Sequence, residues 1–138
     1  MKRDKLDKVI SDLVRERAEW TCEKCGKVFP EGFRQGLHCS HLYSRRHAST
    51  RHFGGNLFAH CFACHQYLGG NPIEFAAWAR SQLGDTALES LGERHHRIVR
   101  RRKKEKEEMY QHFKAEYKAL MDKRKAGETG YISFVEWD

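Results

Sequence analysis

Proline is scarce, two in 138 residues, and no run of apolar residues approaches the ~18 that a membrane span needs, so insertion into a bilayer is not expected. The opening stretch MKRDKLDKVISDL lacks the apolar core of a signal peptide, so secretion is equally unexpected and a cytoplasmic location is the reading. Without an export signal, a disulfide framework explains the five cysteines poorly. All five, with six of the nine histidines, fall between Cys22 and His65, and so local a cluster points to a metal site. No internal repeat is present. Acidic residues are missing from Arg94 to Lys104, where seven basic residues follow one another without an opposing charge.

What remains is a 16.2 kDa chain, room for one domain and a helical appendage. A chain of this size buries roughly 65–70% of its unfolded surface, enough for a compact core. Its formal charge of +7 is unevenly spread, with +4 over residues 20–71 and +6 over 86–126. Basic blocks of this kind mark anionic partners, nucleic acid foremost, and a solvated helix face is the competing reading.

Leu6, Val9, Ile10, Leu13 and Val14 recur at helical spacing, which predicts an amphipathic helix over about 4–18. In NPIEF, Asn71 is placed to cap a helix, Pro72 suits its first turn, Glu74 favours its positive end, and Gly84 closes it. Thr86 and Glu89 fit a capping box, after which helical pattern continues to about Lys125 as one kinked helix or two. Leu88, Leu91, His95 and Ile98 make one stripe, and Met109, Phe113, Tyr117 and Leu120 another. The second stripe is either packed on its own domain or a homodimer interface. Gly127–Gly130 turns the chain into YISFVEW, a short expected strand. The predicted organisation is an N-terminal helix (1–19), a loop-rich, metal-held module (20–84) and a basic helical extension (85–138).

Cys22-Glu-Lys-Cys25 and Cys61-Phe-Ala-Cys64 are two CxxC pairs, each able to offer two thiolates to one ion, and together they complete a tetrahedral structural Zn²⁺ site. Thirty-five residues separate Cys25 from Cys61, against the ~15–20 of a plain four-cysteine ribbon, so the clasp holds an insert. Cys39 reads best as a small buried residue, with a spare ligand the alternative. A closed Cys₄ site needs no histidine, which leaves His38, His41 and His65 open to a second metal, to general base work or to phosphate contact. Imidazole base, divalent ion and a field of Arg and Lys together make a phosphodiesterase.

The stretch GNL-x₃-CxxCH, with His41 upstream, resembles the HNH (ββα-metal) nucleases. KLDKVISDLVRER, WTCEKCGK, HCSHLYSRRHASTRHFGGN, GNPIEF and the basic C-terminal segment are most similar to the NinG/Rap group of phage recombination nucleases, which cut branched DNA such as Holliday junctions. The resemblance covers most of the chain. It implies an α+β protein whose ββα-metal module is flanked by the N-terminal helix and the C-terminal helical segment. It also implies His41 as general base, Asn56 as the residue that pins the intervening loop, and His65 as a catalytic-metal ligand for Mg²⁺ or Mn²⁺. Many relatives carry an acidic residue or His directly before the base, where this chain has Ser40, and the NinG-like position three residues before the base is His38, taken as the other ligand. Arg45 and Arg51 are expected on the loop where phosphate approaches. Arg97, Arg100, Arg101, Arg102, Lys103 and Lys104 are expected to contact DNA phosphates without reading sequence. A phage protein would work in the host cytoplasm. A general HNH nicking enzyme and a non-enzymatic zinc protein that binds nucleic acid are the alternatives.

Overall fold

The computed structural model describes residues 2–137; Met1 and Asp138, at the ends of the first and last predicted segments, lie outside the described residues. Helix α1 (Lys5–Arg17) starts on a reciprocal cap: Asp4 accepts from the Asp7 N–H and Asp7 from the Asp4 N–H, each at 2.9 Å. Side-chain caps of this kind stabilise a helix by about 1 kcal/mol. The helix buries Leu6, Ile10, Leu13 and Val14, the predicted stripe. Glu19 and Trp20 then take positive φ (53° and 55°), which turns the chain sharply and drops Trp20 into the core. The Trp20 indole donates to Glu16 at 2.8 Å, so its polar end is satisfied there.

Strands β1 (Leu37–His41) and β2 (Leu57–Cys61) form an antiparallel pair in which Leu37 faces Cys61 and His41 faces Leu57. The loop between them carries a single helical turn, α2 (Ala48–Arg51), and a 3-10 turn at Gly54–Asn56. Helix α3 (Phe62–Gly69) follows β2 without a break. A two-stranded sheet flanked by helices makes this a mixed helix-and-strand protein. Helix α4 (Pro72–Leu83) closes the second face: Phe58, Leu68, Phe75 and Ala79 form a small cluster of their own.

Helix α5 (Asp85–His95) and helix α6 (Lys103–Lys125) complete the chain. Met109, Phe113 and Leu120 of α6 are buried against α1, in one core with Trp20, Cys22, Leu37, Leu57 and Cys61. Burying side chains of this size contributes roughly 1.5–3 kcal/mol each. Of the predicted stripe, Met109, Phe113 and Leu120 are therefore covered within the chain, and Tyr117 packs half-buried against the same core. That core also draws on all three predicted segments at once, so the appendages are structural members of the central module.

Several local expectations are corrected. Of the two forms left open for the segment up to Lys125, two helices is the one observed, and only residues 96–102, the middle of the basic block, are a non-helical linker between α5 and α6. Ile98 is 99% exposed, so there is no face to bury, and closely spaced arginines repel one another on a helix. Ser49 ends α5 by donating to the His95 carbonyl at 2.9 Å. Helix α5 begins at Asp85 straight after Gly84 (φ 82°), and no Thr86 capping box forms. The Asn71 side chain donates to the Tyr67 carbonyl at 2.6 Å and leaves α4 without a side-chain cap. Residues 131–137 form no strand and instead bond groups of helices and turns, among them Glu116 of α6, which accepts from the Val135 N–H at 2.7 Å. The Ile132 N–H donates to the Arg17 carbonyl, and Glu136 accepts from the Gly54 and Gly55 N–H groups at 2.8 and 3.1 Å.

Candidate metal clasp and histidine cleft

The four cysteines of the two CxxC pairs converge. Their sulfurs lie within 4.8 Å of one another, and Cys25 Sγ stands 3.7 Å from Cys61 Sγ. A tetrahedral ion with Zn–S of about 2.3 Å sets its sulfurs about 3.8 Å apart, so the thiols are already spaced for zinc and far too distant for a disulfide. In each pair the second Cys N–H points at the first sulfur, Cys25 to Cys22 and Cys64 to Cys61, both at 3.5 Å. Burial, followed by the neighbouring thiols, pushes the Cys64 thiol up, a cost that a divalent cation removes by stabilising thiolates. Glu23, inside the first pair, accepts from the Ala59 N–H at 2.6 Å and donates its own N–H to the Ala59 carbonyl. The first knuckle is thereby stitched to β2.

On the other side of the hairpin a cleft of about 1020 Å³ opens between β1, α1 and the start of α3. His38, His41 and His65 all line it, with Arg3, Lys8, Arg15, Arg34 and Arg45. Burial, then the nearby Arg45, holds the His41 imidazole down at about 4, so it is neutral at physiological pH. The same ring is hydrogen-bonded to the Arg51 main chain. The His38 and His65 rings are 5.1 Å apart, and His38 Nε2 lies 2.9 Å from the Gln35 carbonyl. Burial, then His38, also lowers His65. Cys39 lines the same cleft half-buried, its thiol pushed up by burial, in keeping with a small packed residue.

Asn56 is fully buried and holds the loop from within. Its Oδ1 accepts from the Tyr43 N–H at 2.7 Å, while Nδ2 donates to the Tyr43 and Thr50 carbonyls at 3.0 and 3.2 Å. The start of the loop after His41 is fixed in this way. Asn56→Ala leaves two buried carbonyls and one N–H without these partners, so thermal melts should show a loss of about 3 kcal/mol or more. An unchanged melting temperature would remove Asn56 from this role.

The basic residues divide differently from expectation. Arg45 lines the cleft. Arg51 lies in α2 with its guanidinium on Asp7 (Nη2–Oδ2 2.5 Å), which makes it a bridge to α1. Arg101 pairs with Glu105 at 2.8 Å. Arg97, Arg100 and Arg102 are exposed on the linker, and Lys103 and Lys104 begin α6; none of these six basic residues lines the cleft. The cations that do line it come largely from α1 and the loop before β1, where scattered Arg and Lys give no signal as a run.

Three further residues escaped the sequence reading. Ser40 Oγ lies 2.7 Å from His65 Nδ1 and 2.8 Å from His60 Nδ1, and His60 is fully buried. Period-two alternation alone puts Ser40 on the same face of β1 as His38, the one available hint. Asp7 gathers Arg51 and His52 (2.9 Å), and with Asp4 and His52 it forms the second of the described residues' potential metal-ligand groups. Burial alone would raise the Asp7 carboxyl, but hydrogen bonds from His52 and Arg51 outweigh it and hold the group well below the usual carboxylate range. With these partners and Lys106 on Asp4, the group is an ion-pair hub.

Fold and clasp define a small α+β protein with a four-cysteine site able to hold a metal such as zinc. Compared with known proteins, the chain matches no family model, no curated protein and no solved structure. No helix among the described residues is long and apolar enough to cross a membrane.

Proposed function

We propose that this protein is a metal-dependent DNA nuclease of HNH type that hydrolyses phosphodiester bonds, with branched DNA as its preferred substrate. The observation that carries the reading is that His38 and His65, with rings 5.1 Å apart, line the same cleft as His41 together with Arg and Lys. The preference for branched DNA rests on the sequence resemblance to the NinG/Rap group.

His41 accepts the proton of an attacking water. Its burial keeps it unprotonated at neutral pH, and its hydrogen bond to the Arg51 main chain fixes the ring. Arg45 and the α1 cations draw the phosphodiester into the cleft and oppose its charge. His65 and His38 are the residues that would hold Mg²⁺ or Mn²⁺, which supplies neutralisation of charge on the phosphoryl and leaving oxygens. The Cys₄ clasp keeps β2 and α3, and with them His65, in register. Asn56 keeps the loop after His41 closed.

The test is cleavage of a labelled four-way junction beside linear, nicked and flap substrates, with Mg²⁺ or Mn²⁺. His41→Ala should cut about 10²–10⁴-fold more slowly while retaining DNA binding, the usual worth of a positioned base. Wild-type protein that binds DNA and cuts none of the substrates identifies a binding protein and ends the nuclease reading. The pH profile offers a second check. Because the folded pKa is depressed, kcat/KM should hold through pH 6.5 and fall only toward pH 4, and Arg45→Gln should move that acid limb upward.

A further inference from the structure

Ser40 stands between two imidazoles, with its Oγ 2.7 Å from His65 Nδ1 and 2.8 Å from His60 Nδ1. A serine hydroxyl carries one hydrogen, so it can donate to only one of these nitrogens. The other ring must donate its own Nδ1–H to the serine oxygen. Two arrangements satisfy this rule, and they leave His65 with opposite tautomers.

The surroundings of His60 choose between them. Its Nε2 is buried without a hydrogen-bond partner. The ring sits among Phe58, Phe75 and Trp78, with centroids 6.0, 5.8 and 4.7 Å away. Phe58 lies nearly parallel to His60, whereas Phe75 and Trp78 meet it at steep angles of 68° and 66°, an arrangement in which an electron-rich ring face accommodates an N–H and repels a lone pair. His60 is then the Nε2–H tautomer, and its bare Nδ1 accepts the Ser40 hydrogen. The Ser40 oxygen in turn accepts from His65 Nδ1–H. We propose that Ser40 and His60 are positioning residues that fix His65 as the Nδ1–H tautomer, leaving its Nε2 lone pair free on the cleft side to bind a divalent cation. The cation role rests on the nuclease reading; the tautomer does not.

Long-range ¹H–¹⁵N spectra of the zinc-loaded protein without a second metal read both tautomers directly. The expected result is His60 protonated at Nε2 and His65 at Nδ1; His65 protonated at Nε2 overturns the proposal. His60→Phe keeps an aromatic ring, although a larger one, and removes the acceptor, so the Ser40 hydrogen turns to His65 and the tautomer of His65 should invert. Ser40→Ala should release His65 to the mixture of an unconstrained imidazole. Both variants should weaken Mn²⁺ binding about 10–100-fold, the usual cost of losing a partner behind a metal-ligating His. A His65 tautomer unchanged in both variants also sinks the relay. Tautomers as stated in a wild-type protein that takes up no Mn²⁺ uphold the relay and remove His65 from metal binding, which separates the two failures.

Discussion

Removal of zinc from the Cys22–Cys25–Cys61–Cys64 clasp should unfold the protein, reversibly on adding zinc back. Structural zinc contributes about 10–16 kcal/mol of apparent free energy in small zinc modules, while a whole domain is stable by only about 5–15 kcal/mol. The clasp has no substitute here. Cys22 and Cys61 are buried members of the main core, which also holds Trp20 and Leu57, so without metal their thiols would be left unliganded inside it. Its two halves also bracket the whole hairpin loop with His41 and Asn56. Circular dichroism with and without a chelator, together with a measured stoichiometry of one zinc per chain, checks this. A metal-stripped chain that melts like the loaded one would exclude a structural role for the clasp.

Asp7→Ala should cost about 3–5 kcal/mol, the usual consequence of removing one partner from a buried charge pair. Arg51 and His52 are 12% and 4% exposed at the side chain, and both spend hydrogen bonds on Asp7. Removing the carboxylate takes their shared acceptor away and also deletes the acceptor for the Asp4 N–H. In a protein of this length the loss appears as a fall of roughly 10–20 °C in melting temperature. The change should be felt at the cleft as well, because the Arg51 main chain holds the His41 ring. Asp7→Asn separates shape from charge: it should recover part of the cap and little of the ion pairs. A melt within 2 °C of wild type for Asp7→Ala would show that Arg51 and His52 find other partners.

The clasp and α1 were open to a reader of the sequence because each depends on short spacing, whereas the middle of the chain, without sustained periodicity, read as loop-rich and its two strands were implied only by the resemblance. Two CxxC pairs, a 3.6-residue stripe and a CxxCH ending encode local geometry. What stayed hidden depends on distant partners. Arg51 looked like a phosphate ligand because Asp7, 44 residues away, leaves no mark near it. The basic block looked helical because its flanks are; the break comes from repelling arginines, an uncovered Ile98 and a cap supplied by Ser49, 46 residues earlier. YISFVEW has strand-like alternation, yet a strand also needs a partner strand, and sequence alternation does not say whether one lies beside it. Ser40 appeared as a departure from a family pattern and became meaningful only once His60 and His65 were placed around it.

The pairing of α1 with α6 bears on how the chain is made. Lys106 reaches Asp4 across 102 positions, and Phe113 and Leu120 cover the face that α1 presents. Ribosomes add about 5–20 residues per second, so α1 emerges roughly 5–20 s before its cover. During that interval Leu6, Ile10, Leu13 and Val14 stand uncovered on the nascent chain, a stretch that holdase chaperones would meet first.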